Sequence, residues 1–142
     1  MFQIDHVAIS VKDIRKSIAF YESLDFKVTD SHISNDGSSR LYTLKDKAGI
    51  MLELINYTHY HHAPHHSHNL NTDLHVIGVK HFGLRVDYIH KAYAKLKKKG
   101  FIPHTRVHAG RLGRDYFFIK DPNGILLEII EEHPRGDYKW GI

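Results

Sequence analysis

The sequence predicts an α+β fold made of two tandem copies of one βαβββ module. His81 lies 75 positions after His6, and Glu128 lies 75 positions after Glu53. At that one offset much of the surrounding sequence also agrees, and no gap is needed from residue 4 to residue 55. In each copy an alternating apolar run is followed by helical spacing and then by further strand-like runs. Duplication of one supersecondary unit accounts for all of these observations.

The first module is predicted to span residues 1–56. Its first strand shows the two-residue alternation of a β-strand. Asp13 is a suitable N-cap for the helix that follows. The predicted elements are a strand at 2–10, a helix at about 13–24, and strands near 26–32, 39–45 and 49–56.

The second module is predicted at residues 78–132. The sequence Asp-Pro-Asn-Gly at 121–124 is a strong signal for a hairpin turn, and Gly100 is a suitable helix terminator. The polar, His-rich stretch 57–77 is predicted to be a linker without regular structure, and 133–142 a C-terminal tail. The predicted elements are strands near 78–86, 101–107, 115–120 and 124–131, and a helix at 89–99.

Composition narrows the class of protein. The 142 residues carry a formal net charge of +4 and no cysteine, which excludes disulfides and thiolate catalysis. No apolar run approaches the roughly 18 residues that a membrane span needs. We expect a cytoplasmic protein without a signal peptide, with no membrane or nucleic-acid partner. The mild positive charge favours a small, anionic substrate.

Glu53 and Glu128 each lie in a run that is apolar on both faces. A buried carboxylate without a partner costs several kcal/mol, so each is expected to meet a cation or strong donors. His6 and His81 lie near the start of the first strand of their modules. If the modules pair about a pseudo-twofold axis, two imidazoles and two carboxylates would surround one point, a set that suits a divalent ion. The alternative is two core histidines and two glutamates paired with Lys or Arg.

The sequence resembles the vicinal oxygen chelate superfamily, which includes glyoxalase I, methylmalonyl-CoA epimerase, extradiol dioxygenases and the fosfomycin and bleomycin resistance proteins. The resemblance rests on Asp-His-Val-Ala-Ile-Ser-Val-Lys-Asp at 5–13, Ala-Phe-Tyr at 19–21 and Asp-Pro-Asn-Gly-Ile-Leu-Leu-Glu at 121–128. It implies that the modules form a cupped, partly closed mixed β-sheet with the helices outside. It also implies a homodimer, with the modules paired within a chain or swapped between chains.

The ligand pattern is most similar to glyoxalase I-like and methylmalonyl-CoA epimerase-like members. The resemblance implies one divalent metal (Ni, Zn, Co, Mn or Fe) on His6, Glu53, His81 and Glu128. It implies a lyase, isomerase or epimerase that removes a proton next to a carbonyl, with a metal-stabilised enediolate or enolate and with Glu128 or Glu53 as the catalytic base. The alternatives are a non-haem iron dioxygenase and a small-molecule-binding antibiotic-resistance protein of the same superfamily.

Substrate contacts are predicted around the second module. Glyoxalase I carries an arginine four residues after its first histidine to hold glutathione, but this sequence has Ser10 there and Arg85 in the second copy. A basic loop at 104–114 could clamp a carboxylate or phosphate. The histidines of the linker could hold an auxiliary metal or could simply be solvated. The candidate substrate residues are Arg85, Arg111, Arg114 and Tyr116, with Tyr42 as a further cavity or core residue.

Overall fold

The structure is a computed structural model that describes residues 1–65, 69–101, 103–110 and 113–133. The chain divides into two compact units, Met1–Ala63 and Pro64–Ile142, and the boundary falls within the predicted linker. Most of the predicted C-terminal tail, residues 134–142, lies outside the described residues. Each unit is a βαβββ module with its own four-stranded mixed sheet, so the predicted fold class and its duplication are confirmed. The single cupped sheet that would join the modules stays a prediction.

The first unit has a sheet with the strand order β1-β4-β3-β2. Strand β1 runs parallel to β4, and the other pairs are antiparallel. The helix packs against β4 and β2. Its elements are β1 (His6–Ser10), α1 (Ile14–Ser23), β2 (Lys27–Ile33), β3 (Ser39–Lys45) and β4 (Met51–Tyr57).

The second unit repeats this arrangement with the strand order β5-β8-β7-β6. Strand β5 runs parallel to β8, and the other pairs are again antiparallel. Its main helix packs against β7 and β8. Its elements are α2 (Leu70–Asp73), β5 (Phe82–Val86), α3 (Ile89–Lys98), β6 (His108–Ala109), β7 (Asp115–Lys120) and β8 (Leu126–Glu131).

Alternation along the central strands decides which side chains are covered. In β4, Leu52 and Leu54 are buried, and Glu53 between them is only partly buried. In β8, Leu127 and Ile129 are buried in the same way. Because successive side chains of a strand point to opposite faces, the covered set forms the core beneath the helix. The glutamate of each central strand therefore points to the other face of its sheet.

The predicted helix cap and hairpin turns are present, and in each the interacting groups lie close together in the chain. Asp13 caps α1 by accepting a hydrogen bond from the backbone N–H of Lys16 at 3.1 Å. Both hairpin turns have glycine in the left-handed region, with φ of 85° at Gly49 and at Gly124. Asp121 also accepts from the backbone N–H of Ile125 at 2.9 Å, which fixes the second turn. The predicted N-cap and hairpins are confirmed.

The predicted first strands of both modules begin too early. Regular pairing starts with His6 opposite Met51 in β4, and with Phe82 opposite Leu127 in β8. Residues 2–5 and 78–80 extend past the first residues of the central strands, Met51 and Leu126, because these strands begin only after the hairpin turns. Ile4 is accordingly 90% exposed despite its place in an alternating pattern.

The strand predicted at 101–107 is also wrong among the residues described there, and β6 has only the two residues His108–Ala109. Pro103 has no backbone N–H to donate to a ladder. The segment nevertheless contacts β7, because the backbone N–H of His104 donates to the carbonyl of Phe118 at 2.7 Å. Thr105 completes the contact by accepting from the backbone N–H of Phe118 at 3.0 Å.

The linker contains regular structure that the sequence did not predict. One short helix, Leu70–Asp73, is capped by Asn69, whose side chain accepts from the backbone N–H of Asn71 at 2.9 Å. A single turn of helix is too short to show an apolar period. Within the described parts of the chain, no helix has the length and apolar character needed to span a membrane.

Candidate metal centre

In the first unit, β1 and β4 place His6 beside Glu53. The two strands are parallel neighbours, with Ala8 opposite Glu53. The Nε2 atom of His6 lies 3.6 Å from Oε2 of Glu53. Its other ring nitrogen, Nδ1, lies 2.9 Å from Oδ2 of Asp5 and donates to it. The imidazole is therefore held between two carboxylates.

In the second unit, the equivalent residues form the equivalent pair. Gly83 lies opposite Glu128 in the parallel pair β5 and β8, and His81 immediately precedes β5. The Nε2 atom of His81 lies 3.3 Å from Oε2 of Glu128. The imidazole ring and Phe118 pack edge to face, with ring centroids 5.1 Å apart. The duplication in the sequence thus reproduces a local His–Glu geometry.

The expectation that both carboxylates are fully buried is wrong. The side chain of Glu53 is 27% exposed and that of Glu128 is 23% exposed. Each faces away from the helix-covered side of its sheet, where the strand register leaves it partly accessible. A partly accessible carboxylate next to an imidazole is open to an ion or a substrate.

The separations within each pair suit joint binding of one ion. Ligand atoms bound at roughly 2.1 Å to one tetrahedral ion lie about 3.4 Å apart, close to the two observed distances. Imidazole nitrogen and carboxylate oxygen are both common ligands of first-row divalent metals. The Nδ1 atom of His81 is buried and has no hydrogen-bond partner within the described structure. The donor chemistry and spacing of each pair therefore fit half of a metal site.

The structure brings the four predicted ligands together as two pairs, one in each unit. Among the residues that the structure describes, no three His, Asp or Glu side chains form a group that could hold a metal ion. The joining of both pairs around one ion stays a prediction.

The charge around the two histidines differs. The pKa of His6 is raised above 6.5, mainly because Asp5 accepts its hydrogen bond and further because the Glu53 carboxylate is nearby. Position 80, which corresponds to position 5, holds Lys80. The Nζ atom of Lys80 lies 3.2 Å from Oδ2 of Asp73 and is occupied by that contact. Among the described residues, a carboxylate therefore contacts Nδ1 of the first histidine and not Nδ1 of the second.

Two of the predicted substrate residues share the face of Glu128. Arg85 and Tyr116 both lie opposite Ile130, which is two residues beyond Glu128 in β8. Arg85 is 68% exposed, and its Nη1 atom lies 3.7 Å from a carboxylate oxygen of Glu132. Such a loose, exposed ion pair leaves the guanidinium available to an anion.

The remaining predicted substrate residues have other positions. Arg114 donates from Nε to the carbonyl oxygen of Glu131 at 2.6 Å, which ties its loop to the end of β8. Tyr42 lies opposite the buried Leu54, so it faces the helix side of the sheet and not the side of Glu53. Arg111 lies outside the described residues.

Sequence reasoning missed two features of these faces. Asp5 directly precedes His6, and its replacement by lysine in the second copy is a break in the repeat that could have drawn attention to it. His108 stacks at a tilt on Tyr116, with ring centroids 5.8 Å apart. That contact depends on the pairing of β6 with β7. The sequence predicted the corresponding strand at 101–107, before the observed β6.

Comparison with protein families decides the relationship. The family model described as the Glyoxalase/Bleomycin resistance protein/Dioxygenase superfamily matches residues 3–129. The chain belongs to this superfamily. The predicted resemblance is therefore confirmed, and the match covers both modules, including all four predicted ligands.

Superfamily relatives of known sequence and structure agree with this assignment. The chain is 30% identical over 139 residues to lactoylglutathione lyase of Schizosaccharomyces pombe, a match that covers 92% of this chain and 45% of that protein. The chain therefore spans about half the length of this relative.

Two solved structures share the fold. A glyoxalase family protein from Enterococcus faecalis matches with a TM-score of 0.76 and 24% identity, covering 91% of this chain and 97% of that one. The trypanothione-dependent glyoxalase I of Leishmania major matches with a TM-score of 0.69 and 23% identity, covering 93% of this chain and 88% of that one.

Proposed function

We propose that this protein is a divalent-metal-dependent enzyme of the glyoxalase superfamily, a lyase, isomerase or epimerase that removes a proton next to a carbonyl. The observation that carries the proposal is the repeated His–Glu pair, with nitrogen–oxygen separations of 3.6 Å and 3.3 Å. Two such pairs supply four ligands of the kinds that Ni, Zn, Co, Mn or Fe accept.

The distant similarity to lactoylglutathione lyase supports an enzyme of this type. Because the chain covers less than half of that protein, the reaction of the relative is not carried over as a whole. Ser10 stands where the resemblance to glyoxalase I calls for an arginine, whereas Arg85 is exposed on the Glu128 face of the second unit. We therefore propose a small anionic substrate whose negative group is held by Arg85, with Tyr116 lining the same face.

A bound divalent ion would act as a Lewis acid for adjacent substrate oxygens, and His6, Glu53, His81 and Glu128 would hold it. The protein's own groups provide the proton transfer. A carboxylate of Glu53 or Glu128 accepts the proton from the carbon next to the carbonyl, since both are partly exposed and can reach a substrate. The same carboxylate then returns the proton. Return to the neighbouring carbon gives isomerisation, and return to the opposite face of the original carbon gives epimerisation.

The complete site requires one pair from each type of module. Pairing within one chain and swapping between two chains would both bring the ligands together, and a homodimer is the proposed assembly. A cytoplasmic location and the absence of nucleic-acid or membrane partners stay predictions.

The proposal is tested by metal content and activity in Glu53→Gln and Glu128→Gln, with Glu22→Gln as a control for the loss of one negative charge. Glu22 is exposed on α1, which packs on the opposite face of the sheet from Glu53. The parent protein and all three variants should carry Gln for His at positions 59, 61, 62, 65, 66, 68 and 75, so that linker histidines do not bind metal.

We expect about one divalent ion per four-ligand site in the parent protein and in Glu22→Gln. Loss of a charged ligand should lower metal affinity at least about 10-fold in the other two variants. The readouts are elemental analysis and turnover of hemithioacetals of 2-oxoaldehydes and of 2-methylacyl thioesters. A parent protein that takes up none of Ni, Zn, Co, Mn or Fe would refute the proposal. Oxygen consumption that depends on Fe(II) would instead identify a dioxygenase.

A further inference from the structure

Asp5 makes a contact that its exposure does not require. Its side chain is 74% exposed, so water alone could solvate the carboxylate. It nevertheless lies with Oδ2 2.9 Å from Nδ1 of His6, and the imidazole is itself 40% exposed. Since a carboxylate can only accept here, the proton resides on Nδ1 of His6.

This contact determines which nitrogen of His6 faces Glu53. With the proton on Nδ1, the Nε2 atom of a neutral imidazole carries the lone pair, and that atom lies 3.6 Å from Glu53. A carboxylate behind a ligand histidine fixes the ring orientation and increases the basicity of the ligand nitrogen. Both effects favour a cation between Nε2 and the glutamate.

The second unit shows that the fold does not need this contact. Lys80 occupies the position equivalent to Asp5, and its Nζ donates to the carbonyl oxygen of Asp73 at 2.9 Å. Nδ1 of His81 is buried without a hydrogen-bond partner in the described part of the chain. The strand pairing and the His–Glu pair form all the same. Asp5 is therefore an addition specific to the first unit.

We propose that Asp5 is a positioning residue for His6 that strengthens divalent-metal binding at the His6–Glu53 pair. The inference rests on the proposed metal site. It makes the two halves of the site unequal: the first half has an oriented imidazole, and the second half has an imidazole whose Nδ1 meets no polar partner among the described residues. A metal ion would consequently depend more on Asp5 than on any group behind His81.

The test is Co²⁺ titration, followed by visible absorption without substrate, on full-length protein lacking the linker histidines. The variants are Asp5→Ala, Asp5→Asn and Asp5→Glu, with Glu22→Gln as the matched charge control. Loss of a carboxylate behind a ligand histidine typically weakens metal binding 10- to 100-fold. We therefore expect about 10-fold weaker Co²⁺ binding in Asp5→Ala, a smaller loss in Asp5→Asn, and recovery of most of the affinity in Asp5→Glu.

A second readout separates positioning from a structural role. Because Asp5 is exposed, the thermal midpoint of the metal-free variants should stay within about 1 °C of the parent value. Unchanged Co²⁺ affinity in Asp5→Ala, or a fall in Co²⁺ stoichiometry at full saturation, would overturn the inference and leave the proposed function intact. No Co²⁺ binding by the parent protein would instead overturn the proposed function itself.

Discussion

The two modules share their strand order but differ in the groups around His6 and its counterpart His81. In the first, the Asp5 carboxylate accepts a hydrogen bond from Nδ1 of His6, whereas in the second Lys80 forms an ion pair with Asp73. The ligand pair itself is retained in both. The duplicated sheet therefore fixes where His and Glu meet, and the residues next to each histidine decide which hydrogen bond its imidazole makes.

A second difference lies at the end of the central strands. Asn56 at the end of β4 is buried and donates to the backbone carbonyl of Val11 at 2.9 Å. The equivalent residue of β8, Glu131, accepts from the backbone N–H of Ile89 at 3.3 Å and supports the start of α3. Because α3 has no side-chain cap of its own at Tyr88, this contact takes over part of the role that Asp13 has in α1. The residue at this position thus ties the central strand to the β1–α1 connection in the first module and to the start of α3 in the second.

The largest expected effect tests whether the two cores are equivalent. Leu54 and Ile129 occupy equivalent positions, and both are almost completely buried. Truncation of either to alanine should cost about 3 kcal/mol of unfolding free energy, since a cavity forms in addition to the lost apolar burial. Chemical denaturation followed by circular dichroism measures this. A large cost in one variant and none in the other would show that the modules are not packed alike.

The next prediction compares the contributions of Asp73 and Asp5 to the free energy of unfolding. Asp73→Asn should destabilise the protein by about 3 kcal/mol, because it leaves the largely buried ammonium of Lys80 without its charged partner. Asp5→Asn should change the unfolding free energy by less than about 0.5 kcal/mol, because that side chain is 74% exposed. The same denaturation experiment compares them, and equal costs would contradict the difference between the modules.

The smallest effect is on titration, and one histidine from each module makes the comparison. In the metal-free protein the pKa of His6 should lie above 6.5, mainly because of Asp5 and then Glu53. The pKa of His104 should lie below 6.5, mainly because of partial burial and then because of the nearby positive charge of Lys120. Proton NMR of the imidazole C–H signals measures both. Asp5→Asn should lower the value for His6 and leave that for His104 unchanged.

These two shifts have opposite consequences for stability. The raised pKa of His6 stabilises the fold below about pH 6.5, and this contribution is lost as the pH rises through the folded-state pKa. The lowered pKa of His104 gives a contribution that is present above about pH 6.5 and is lost as the pH falls through its folded-state value. If the measured pKa values of both histidines lie on the same side of 6.5, the environments that the structure gives them are wrong.

Much of the fold follows from patterns confined to a few neighbouring residues. The offset of 75 positions predicted the duplication, and the turn residues at 121–124 and the cap at Asp13 predicted local hydrogen bonds that the structure contains. The strands at 39–45 and 115–120 were predicted with their observed bounds. Such signals are reliable because each side chain acts on backbone groups close to it in the chain.

The module, its repetition and the four candidate ligands could be identified from the amino-acid sequence alone. Only tertiary structure decided that His6 meets Glu53 and His81 meets Glu128, since each contact joins strands that are distant in sequence. It also decided that the alternating residues before His6 are unpaired and that the segment at 101–107 is not a strand. Strand pairing depends on where the partner strand begins and on which N–H groups are available, and neither is encoded in the alternation of a single strand.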